Sequence, residues 1–173
     1  MRIHVTGNAG AGKTTSAARI AAAFDLPLHG LDAIVWSPGW RKTPPDERAR
    51  LEEELIAGER WVIEGVSSRV QRAADAIVFL DVPPAICLAR CARRNLPFLF
   101  RSRPGLPERC PEWRIAPRLV RIITTFERRL ARSWREEAAR DGRWIHLASP
   151  RSADEIVERV RARIAATEAT PRR

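Results

Sequence analysis

The sequence predicts an α/β fold in which a parallel sheet of about five strands lies between two layers of helices. Short apolar runs alternate along the chain with longer segments whose apolar residues recur at helical spacing. Residues 75–81 form a continuous apolar run between two acids, which is typical of a strand covered on both faces. A glycine-rich loop joins the first strand to the first helix. Alternation of this kind favours right-handed crossovers and a three-layer α/β/α sandwich.

The glycine-rich loop follows a β-branched strand at residues 2–6 and precedes a helix at 15–24. It matches the pattern G-x-x-x-x-G-K-[ST] without a mismatch. Such a loop, or P-loop, surrounds phosphates with backbone N–H groups and places a helix N-terminus against them. A glycine turn before an ordinary helix is the alternative, but the complete match and its flanks favour a nucleotide. We expect Lys13 to reach the β- and γ-phosphates and Thr14 to bind Mg²⁺. The residues predicted to bind ATP are Gly7, Asn8, Ala9, Gly10, Ala11, Gly12, Lys13, Thr14 and Thr15.

Arginine is the most unusual part of the composition. The formal net charge is +10, and Lys13 and Lys42 are the only lysines. A G+C-rich genome explains such usage, and so does anion binding, because a guanidinium matches phosphate oxygens two at a time. Residues 90–135 contain thirteen arginines and three acids, whereas charges elsewhere are more balanced. This clustering indicates that part of the arginine content is functional.

The length of 173 residues is that of one domain, so we expect residues 1–173 to form a single unit. No apolar run approaches the roughly eighteen residues of a membrane span, and the N-terminus enters a strand without a signal sequence. We therefore expect a cytoplasmic protein with no membrane partner. The three cysteines lack a fourth ligand for a metal site, so we expect buried free thiols.

An acid and two tryptophans follow the predicted second strand, near residues 26–29. In an open α/β sheet, loops at the carboxyl ends of strands line the ligand crevice. Asp32 could there take the proton of a substrate hydroxyl or hold a Mg²⁺-bound water, and Trp36 and Trp40 could stack on a flat group. The alternative is that Asp32 caps a helix and that both tryptophans lie in the core. We predict that Asp32, Trp36 and Trp40 bind substrate.

A helix at 44–57 leads to the strand 60–65, which ends in an acid. Glu64 lies where a carboxylate is expected beside the P-loop strand and near Mg²⁺, although acids that simply end strands are common. We predict that Glu64 and Thr14 hold the metal. Arg69, on the following turn or helix, is predicted to bind the acceptor.

Asp81 ends the strand 75–81 and precedes two prolines. We expect it to cap the next helix, and it is the second candidate for the metal-proximal acid. That helix carries Cys87 and Cys91 on one face and presents Arg90 and Arg94 on its later turns.

Residues 95–117 contain five prolines and several arginines, and we expect an irregular lid that closes over a nucleotide. A solvated basic loop is the alternative. A long helix at 118–140, a strand at 143–147 and a final helix ending near residue 166 complete the fold. Residues 167–173 are expected to be a frayed tail. The lid arginines are Arg101, Arg103, Arg109 and Arg114.

Three features resemble the nucleoside-monophosphate kinase group of P-loop proteins. They are the loop GNAGAGKT, the strand with acid and glycine at 62–65, and the segment 80–83 followed by Arg90 and Arg94. Residues 31–40, 61–69 and 110–112 make the chain more similar to the bacterial DNA topology modulation proteins, an adenylate-kinase-related family. The resemblance extends to about residue 148. The sequences DxxG and NKxD of GTPase switch proteins are absent.

The resemblance implies a kinase core with a lid and the strand order 2-3-1-4-5. Arg90 and Arg94 match lid-base arginines of adenylate kinases, and Arg69 lies one place beyond their monophosphate-binding arginine. Glu64 stands where both families usually have aspartate.

Motifs and resemblance together predict an ATP- and Mg²⁺-dependent kinase for a small-molecule acceptor, with nucleotides among the candidates. Lys13, Asp32, Arg90 and Arg94 are the predicted catalytic residues. Two alternatives are an ATP-binding regulator whose arginines at 90–135 contact nucleic acid, and an ATPase without an acceptor. No segment indicates a base-recognition module, so we favour the kinase.

Overall fold

A five-stranded parallel sheet forms the centre of the structure, a computed structural model that describes residues 1–102, 106–148 and 152–168. The strand order in this sheet is β2-β5-β1-β6-β7, and β3 and β4 form a separate antiparallel hairpin. Counted among themselves, the sheet strands therefore follow the predicted order 2-3-1-4-5. The strands are β1 (Arg2–Gly7), β2 (Leu28–Gly30), β3 (Trp36–Ser37), β4 (Arg41–Lys42), β5 (Trp61–Glu64), β6 (Ala76–Leu80) and β7 (Trp144–Leu147).

Helices connect the strands and cover both faces of the sheet. A short 3₁₀ turn, Leu96–Phe98, follows α5, and a π-helix, Glu127–Ala131, joins α6 to α7 without a break. Among the described residues, none of these helices has the length and apolar character to cross a lipid bilayer. The helices are α1 (Lys13–Phe24), α2 (Asp32–Val35), α3 (Pro45–Ile56), α4 (Ser68–Ala73), α5 (Pro84–Asn95), α6 (Glu112–Phe126), α7 (Arg132–Arg140) and α8 (Ala153–Glu168).

Two hydrophobic cores lie on opposite faces of the sheet, and neighbouring residues of a strand alternate between them. On β6, Val78 and Leu80 belong to the core that α1 and α8 cover, whereas Ile77 and Phe79 belong to the core that contains Trp134 of α7. Successive side chains of a strand point to opposite faces, so a strand buried on both sides must be apolar throughout. The predicted α/β/α sandwich is confirmed.

The lid boundary differs from the prediction. We expected irregular chain to residue 117, but α6 begins at Glu112 and includes Pro117. The helix tolerates this proline because Ile115 and Ile123 bury a continuous apolar face, which offsets the loss of one backbone hydrogen bond. Arg103 and residues 169–173 of the predicted tail lie outside the described residues.

Candidate active site

The glycine-rich loop leaves no room for a side chain at two of its glycines. Gly7 and Gly10 have φ values of 148° and 82°. A Cβ atom on Gly10 would lie 2.5 Å from the carbonyl oxygen of Cys87, and one on Gly7 would lie 2.6 Å from that of Leu80. The loop therefore packs against β6 and α5 more closely than any side chain allows.

Asn8 holds the loop in place from within. It is 1% exposed, its Oδ1 accepts a hydrogen bond of 2.8 Å from the N–H of Ala9, and its Nδ2 donates one of 3.0 Å to the carbonyl oxygen of Ile123. The side chain of Lys13 folds over the loop and donates to the carbonyl oxygen of Asn8 at 2.9 Å. This wrapped conformation keeps the ammonium group at the start of α1, where the helix presents its unpaired N–H groups.

Thr14 and Glu64 meet at the carboxyl edge of the sheet. The Thr14 hydroxyl donates a hydrogen bond of 2.9 Å to Oε1 of Glu64. Strand β5 pairs with β1 so that Glu64 lies opposite Val5, two residues before the loop begins. Hydroxyl and carboxylate oxygens are ligands that Mg²⁺ accepts directly or through water. Glu64 is thus more than an acid that ends a strand, because its side chain contacts the P-loop threonine.

Asp81, the second candidate for the metal-proximal acid, has other partners. Arg135 donates to both of its oxygens, at 2.6 and 2.8 Å, and His146 Nε2 lies 2.8 Å from Oδ2. Burial opposes ionisation of Asp81, but these hydrogen bonds and charges outweigh it and lower the pKa of Asp81. The predicted helix cap is wrong, since Pro83 precedes α5 with no side-chain cap bond. Asp81 instead joins β6 to α7 and β7.

Asp32 lies beside Glu64 at the same edge of the sheet. The N–H of Leu31 donates to the carbonyl oxygen of Glu64 at 2.9 Å, and Asp32 is the next residue. Gly65 makes this approach possible, because a Cβ there would lie 2.7 Å from Cβ of Leu31. Asp32 is exposed and begins the four-residue helix α2. The two sheet loops predicted to contact metal and acceptor are therefore neighbours.

The two tryptophans belong to the hairpin of β3 and β4, which we did not predict. They meet edge to face, with ring centroids 5.3 Å apart, and both are only partly buried, so neither is a core residue. The turn between the strands is Pro38-Gly39-Trp40, in which Gly39 and Trp40 have positive φ. The Pro-Gly pair was the signal in the sequence that could have indicated a hairpin.

The hairpin is hydrogen-bonded to residues 108–111 of the predicted lid, which we call the lid base. Nε1 of Trp40 donates to the carbonyl oxygen of Pro111 at 2.8 Å, and its backbone N–H donates to Sγ of Cys110 at 3.4 Å. The N–H of Gly39 donates to the carbonyl oxygen of Glu108 at 3.3 Å. From the next helix, the Arg118 guanidinium carbon lies 4.9 Å from the centroid of the Trp36 ring. The lid base and the hairpin thus form one unit.

Arg69 pairs with acids of α3. Its NH1 donates to Oε1 of Glu53 at 3.0 Å, and its Nε lies 3.9 Å from Oε2 of Glu52. Glu52 is 4% exposed and also accepts hydrogen bonds from Arg48 and from the Ser67 hydroxyl. Sequence reasoning missed this cluster, whose members are up to 21 residues apart, between Arg48 and Arg69.

Arg90 and Arg94 lie on α5 behind the P-loop. NH1 of Arg90 is 3.4 Å from the carbonyl oxygen of Ala11, whereas Arg94 donates to Oδ1 of Asn95 at 2.9 Å. The structure therefore brings Arg90 to the loop and leaves Arg94 one turn away, toward the lid.

The three thiols, Cys87, Cys91 and Cys110, are buried and free, as predicted. Burial raises the pKa of Cys87 to about 11, which keeps this thiol protonated. In the part of the chain that the structure describes, no group of three or more metal-binding side chains occurs.

The chain matches no protein-family model. Over 99 residues it is 27% identical to the "Uncharacterized protein YqaC" of Bacillus subtilis (strain 168), across 54% of this chain and 56% of the relative. The match thus spans little more than half the length of that curated relative.

Solved structures match almost the whole chain. A shikimate kinase from Acinetobacter baumannii in complex with shikimate has a TM-score of 0.61 at 16% identity, covering 98% of this chain and 95% of that one. A gluconokinase from Sinorhizobium meliloti 1021 has a TM-score of 0.59 at 19% identity, with 96% and 92% covered. The YorR protein of Bacillus subtilis, in complex with phosphorylated GDP, has a TM-score of 0.60 at 12% identity, with 99% and 100% covered. The protein has the α/β fold of these P-loop proteins.

Proposed function

We propose that this protein is a kinase that transfers the γ-phosphoryl group of ATP to a hydroxyl group of a small molecule, with Mg²⁺ as the metal. The observation that carries the proposal is the contact between the Thr14 hydroxyl and the Glu64 carboxylate beside the P-loop. A glycine loop alone binds phosphate, whereas an oxygen pair at its helix start adds a place for the metal.

The residues fit a nucleotide and its metal. The loop amides and Lys13 hold the phosphates, and Thr14 and Glu64 hold Mg²⁺. When bound, the metal neutralises charge on the β- and γ-phosphate oxygens. The close approach of Gly7 and Gly10 to β6 and α5 supports this assignment, because it fixes the loop that presents the amides.

Asp32, Trp36, Trp40 and Arg69 form the proposed acceptor side of the site. The acceptor oxygen forms a bond to the γ-phosphorus while the bond from that phosphorus to the β–γ bridging oxygen breaks. ADP leaves, and Asp32 takes the hydroxyl proton. Arg90, Arg94 and the lid arginines stabilise the charge of the transferring group. Such catalysis is mostly positioning and charge stabilisation.

The names of the structural neighbours support a small-molecule acceptor without choosing one, because they include a shikimate kinase and a gluconokinase. The resemblance to adenylate kinases and the complex of YorR with phosphorylated GDP keep nucleotides among the candidates. The resemblance to topology modulation proteins keeps an ATP-binding regulator that contacts DNA as an alternative. We favour the kinase because Thr14, Glu64 and Asp32 lie together at the carboxyl edge of the sheet, where the proposed reaction takes place.

A phosphoryl-transfer screen tests the proposal. The protein and its Lys13→Ala variant receive γ-labelled ATP, Mg²⁺ and a panel of nucleoside monophosphates, shikimate, gluconate and neutral polyols. We expect label to move to one acceptor and this transfer to disappear in the variant. Release of free phosphate alone, at a rate that no acceptor changes, would contradict the proposal and favour an ATPase.

A further inference from the structure

The guanidinium of Arg118 lies on an aromatic ring. It is exposed, and its guanidinium carbon lies 4.9 Å from the centroid of Trp36. Among the described residues no carboxylate forms an ion pair with it, whereas Arg69 and Arg135 each pair with two acids. A ring contact covers one face of a guanidinium and leaves its in-plane N–H groups for another partner.

The ring under Arg118, that of Trp36, packs against Trp40, which is itself anchored. Trp36 contacts Trp40 edge to face, at an interplanar angle of 85°. Trp40 is in turn bonded to the lid base through its Nε1 and its backbone N–H. The platform is therefore set before any ligand arrives, which lowers the ordering cost of binding to it.

Two hydrogen bonds relate the surroundings of Arg118 to the P-loop and to Asp32. Its helix, α6, is bonded to the P-loop through Asn8 and the carbonyl oxygen of Ile123, about one and a half turns further on. Its partner Trp36 follows Asp32 by one helical turn, since the Trp36 N–H donates to the Asp32 carbonyl oxygen. The pair of Arg118 and Trp36 therefore belongs to two elements, one bonded to the P-loop and the other next to Asp32.

We propose that Arg118 binds an anionic group of the acceptor, so that the acceptor is a small alcohol carrying a carboxylate or a phosphate. The inference rests on the proposed function, because it names the class of molecule that receives the phosphoryl group. A guanidinium fork matches the two oxygens of either anion, and the contact with Trp36 restricts the positions that the fork can take. Asp32 contacts the hydroxyl group of the acceptor, while Arg118 binds the anionic group at the other end of the acceptor.

Binding rather than turnover tests this inference first. The full chain, with Mg²⁺ and a non-hydrolysable ATP analogue filling the P-loop, is titrated calorimetrically with three matched pairs of probes. The pairs are AMP and adenosine, gluconate and glucose, and shikimate and its methyl ester. The same titrations are made with Arg118→Gln, with Arg118→Lys and with Arg121→Gln, which removes an equal charge from an exposed arginine of the same helix.

We expect at least one anionic probe to bind, with its neutral partner bound at least about tenfold more weakly. Arg118→Gln should weaken the anionic probe about ten- to a hundredfold, Arg118→Lys should lose less, and Arg121→Gln should bind as the wild type does. All variants should still bind the ATP analogue, which shows that they are folded.

Three results would overturn the inference: no anionic probe binds, neutral partners bind equally well, or Arg118→Gln and Arg121→Gln have the same effect. The phosphoryl-transfer screen separates this failure from that of the proposed function. Lys13-dependent transfer to a neutral acceptor would leave the kinase in place and remove the role of Arg118. If an anion binds through Arg118 but no phosphoryl group is transferred, the anion-binding role of Arg118 stands and the kinase proposal fails.

Discussion

The Thr14 hydroxyl donates a hydrogen bond of 2.9 Å to Oε1 of Glu64, across 50 residues of sequence. The contact exists because β1 and β5 are parallel neighbours, so the loop after one strand meets the last residue of the other. It places an acid one methylene longer than aspartate next to the P-loop helix. The longer side chain reaches the threonine directly.

Removing the charge of Glu64 should change how ATP binding depends on Mg²⁺. In Glu64→Gln, we expect the Mg²⁺ concentration needed for half-maximal ATP binding to rise about ten- to a hundredfold, as for residues that support a metal. Calorimetric titration of ATP at a series of Mg²⁺ concentrations measures it. The control is Asp81→Asn, whose carboxylate faces Arg135 and His146. An equal shift in both variants would contradict a metal role for Glu64.

Gly10 should tolerate no side chain. Gly10→Ala puts an alanine at a positive φ and makes its Cβ overlap with the Cys87 carbonyl oxygen. We expect this to lower the free energy of unfolding by about 2–4 kcal/mol. Gly39 has a similar φ of 79°, but nothing lies within 4 Å of its added Cβ. Gly39→Ala should therefore cost about 1 kcal/mol and leave ATP binding intact. Urea denaturation compares the two, and equal losses would show that crowding at Gly10 is unimportant.

Removing the indole N–H of Trp40 should make the lid base open more often to proteolysis. Trp40→Phe keeps a ring against Trp36 but removes the hydrogen bond to the Pro111 carbonyl oxygen. We expect trypsin to cleave after Arg101 and Arg109 about two- to tenfold faster under native conditions.

Trp113→Phe is the matched control for this experiment, since Trp113 is 51% exposed. It should be cleaved at the wild-type rate. Equal cleavage rates for the wild type and Trp40→Phe would mean that the hydrogen bond from the hairpin does not stabilise the lid base.

The stability of the protein should fall between neutral and acid pH because of His4. Burial lowers the pKa of this fully buried imidazole to about 4, against an opposing hydrogen bond to the Gly65 carbonyl oxygen. The unfolded chain therefore binds the proton more readily, and stability is lost as pH falls from about 6.5 toward 4, by about 3 kcal/mol in total.

Denaturant unfolding at several pH values measures this dependence for the wild type and for His4→Gln. Carboxylates titrate in both proteins, so the difference between them isolates His4. The variant should show a weaker fall in stability across this pH range. Identical curves would mean that His4 does not titrate there.

The P-loop was predictable because its determinants are local. Gly7, Gly10 and Lys13 lie within seven residues, and a strand and a helix flank them. The position of Glu64 beside the loop was predictable for a related reason, since an acid that ends a buried strand next to β1 lies at the same edge of the sheet as the loop. In both cases the strand that produces the sequence pattern also positions the residues that make the contact.

The hairpin, the lid boundary and the role of Asp81 were not predictable in this way. Strands β3 and β4 have two residues each, and their turn is held by Glu108 and Cys110, about seventy residues away. Asp81 resembles a helix cap, but its partner Arg135 is 54 residues further along the chain. Pro117 suggests an interrupted helix, yet burial on the apolar face of α6 outweighs this local signal.

Calorimetric titration of ATP, with and without Mg²⁺, tests the central claim most directly because it needs no knowledge of the acceptor. We expect the wild type to bind ATP more tightly with Mg²⁺, and Lys13→Ala to lose most of that affinity while remaining folded. Binding that Mg²⁺ does not change and that Lys13→Ala retains would contradict a catalytic MgATP site at this loop.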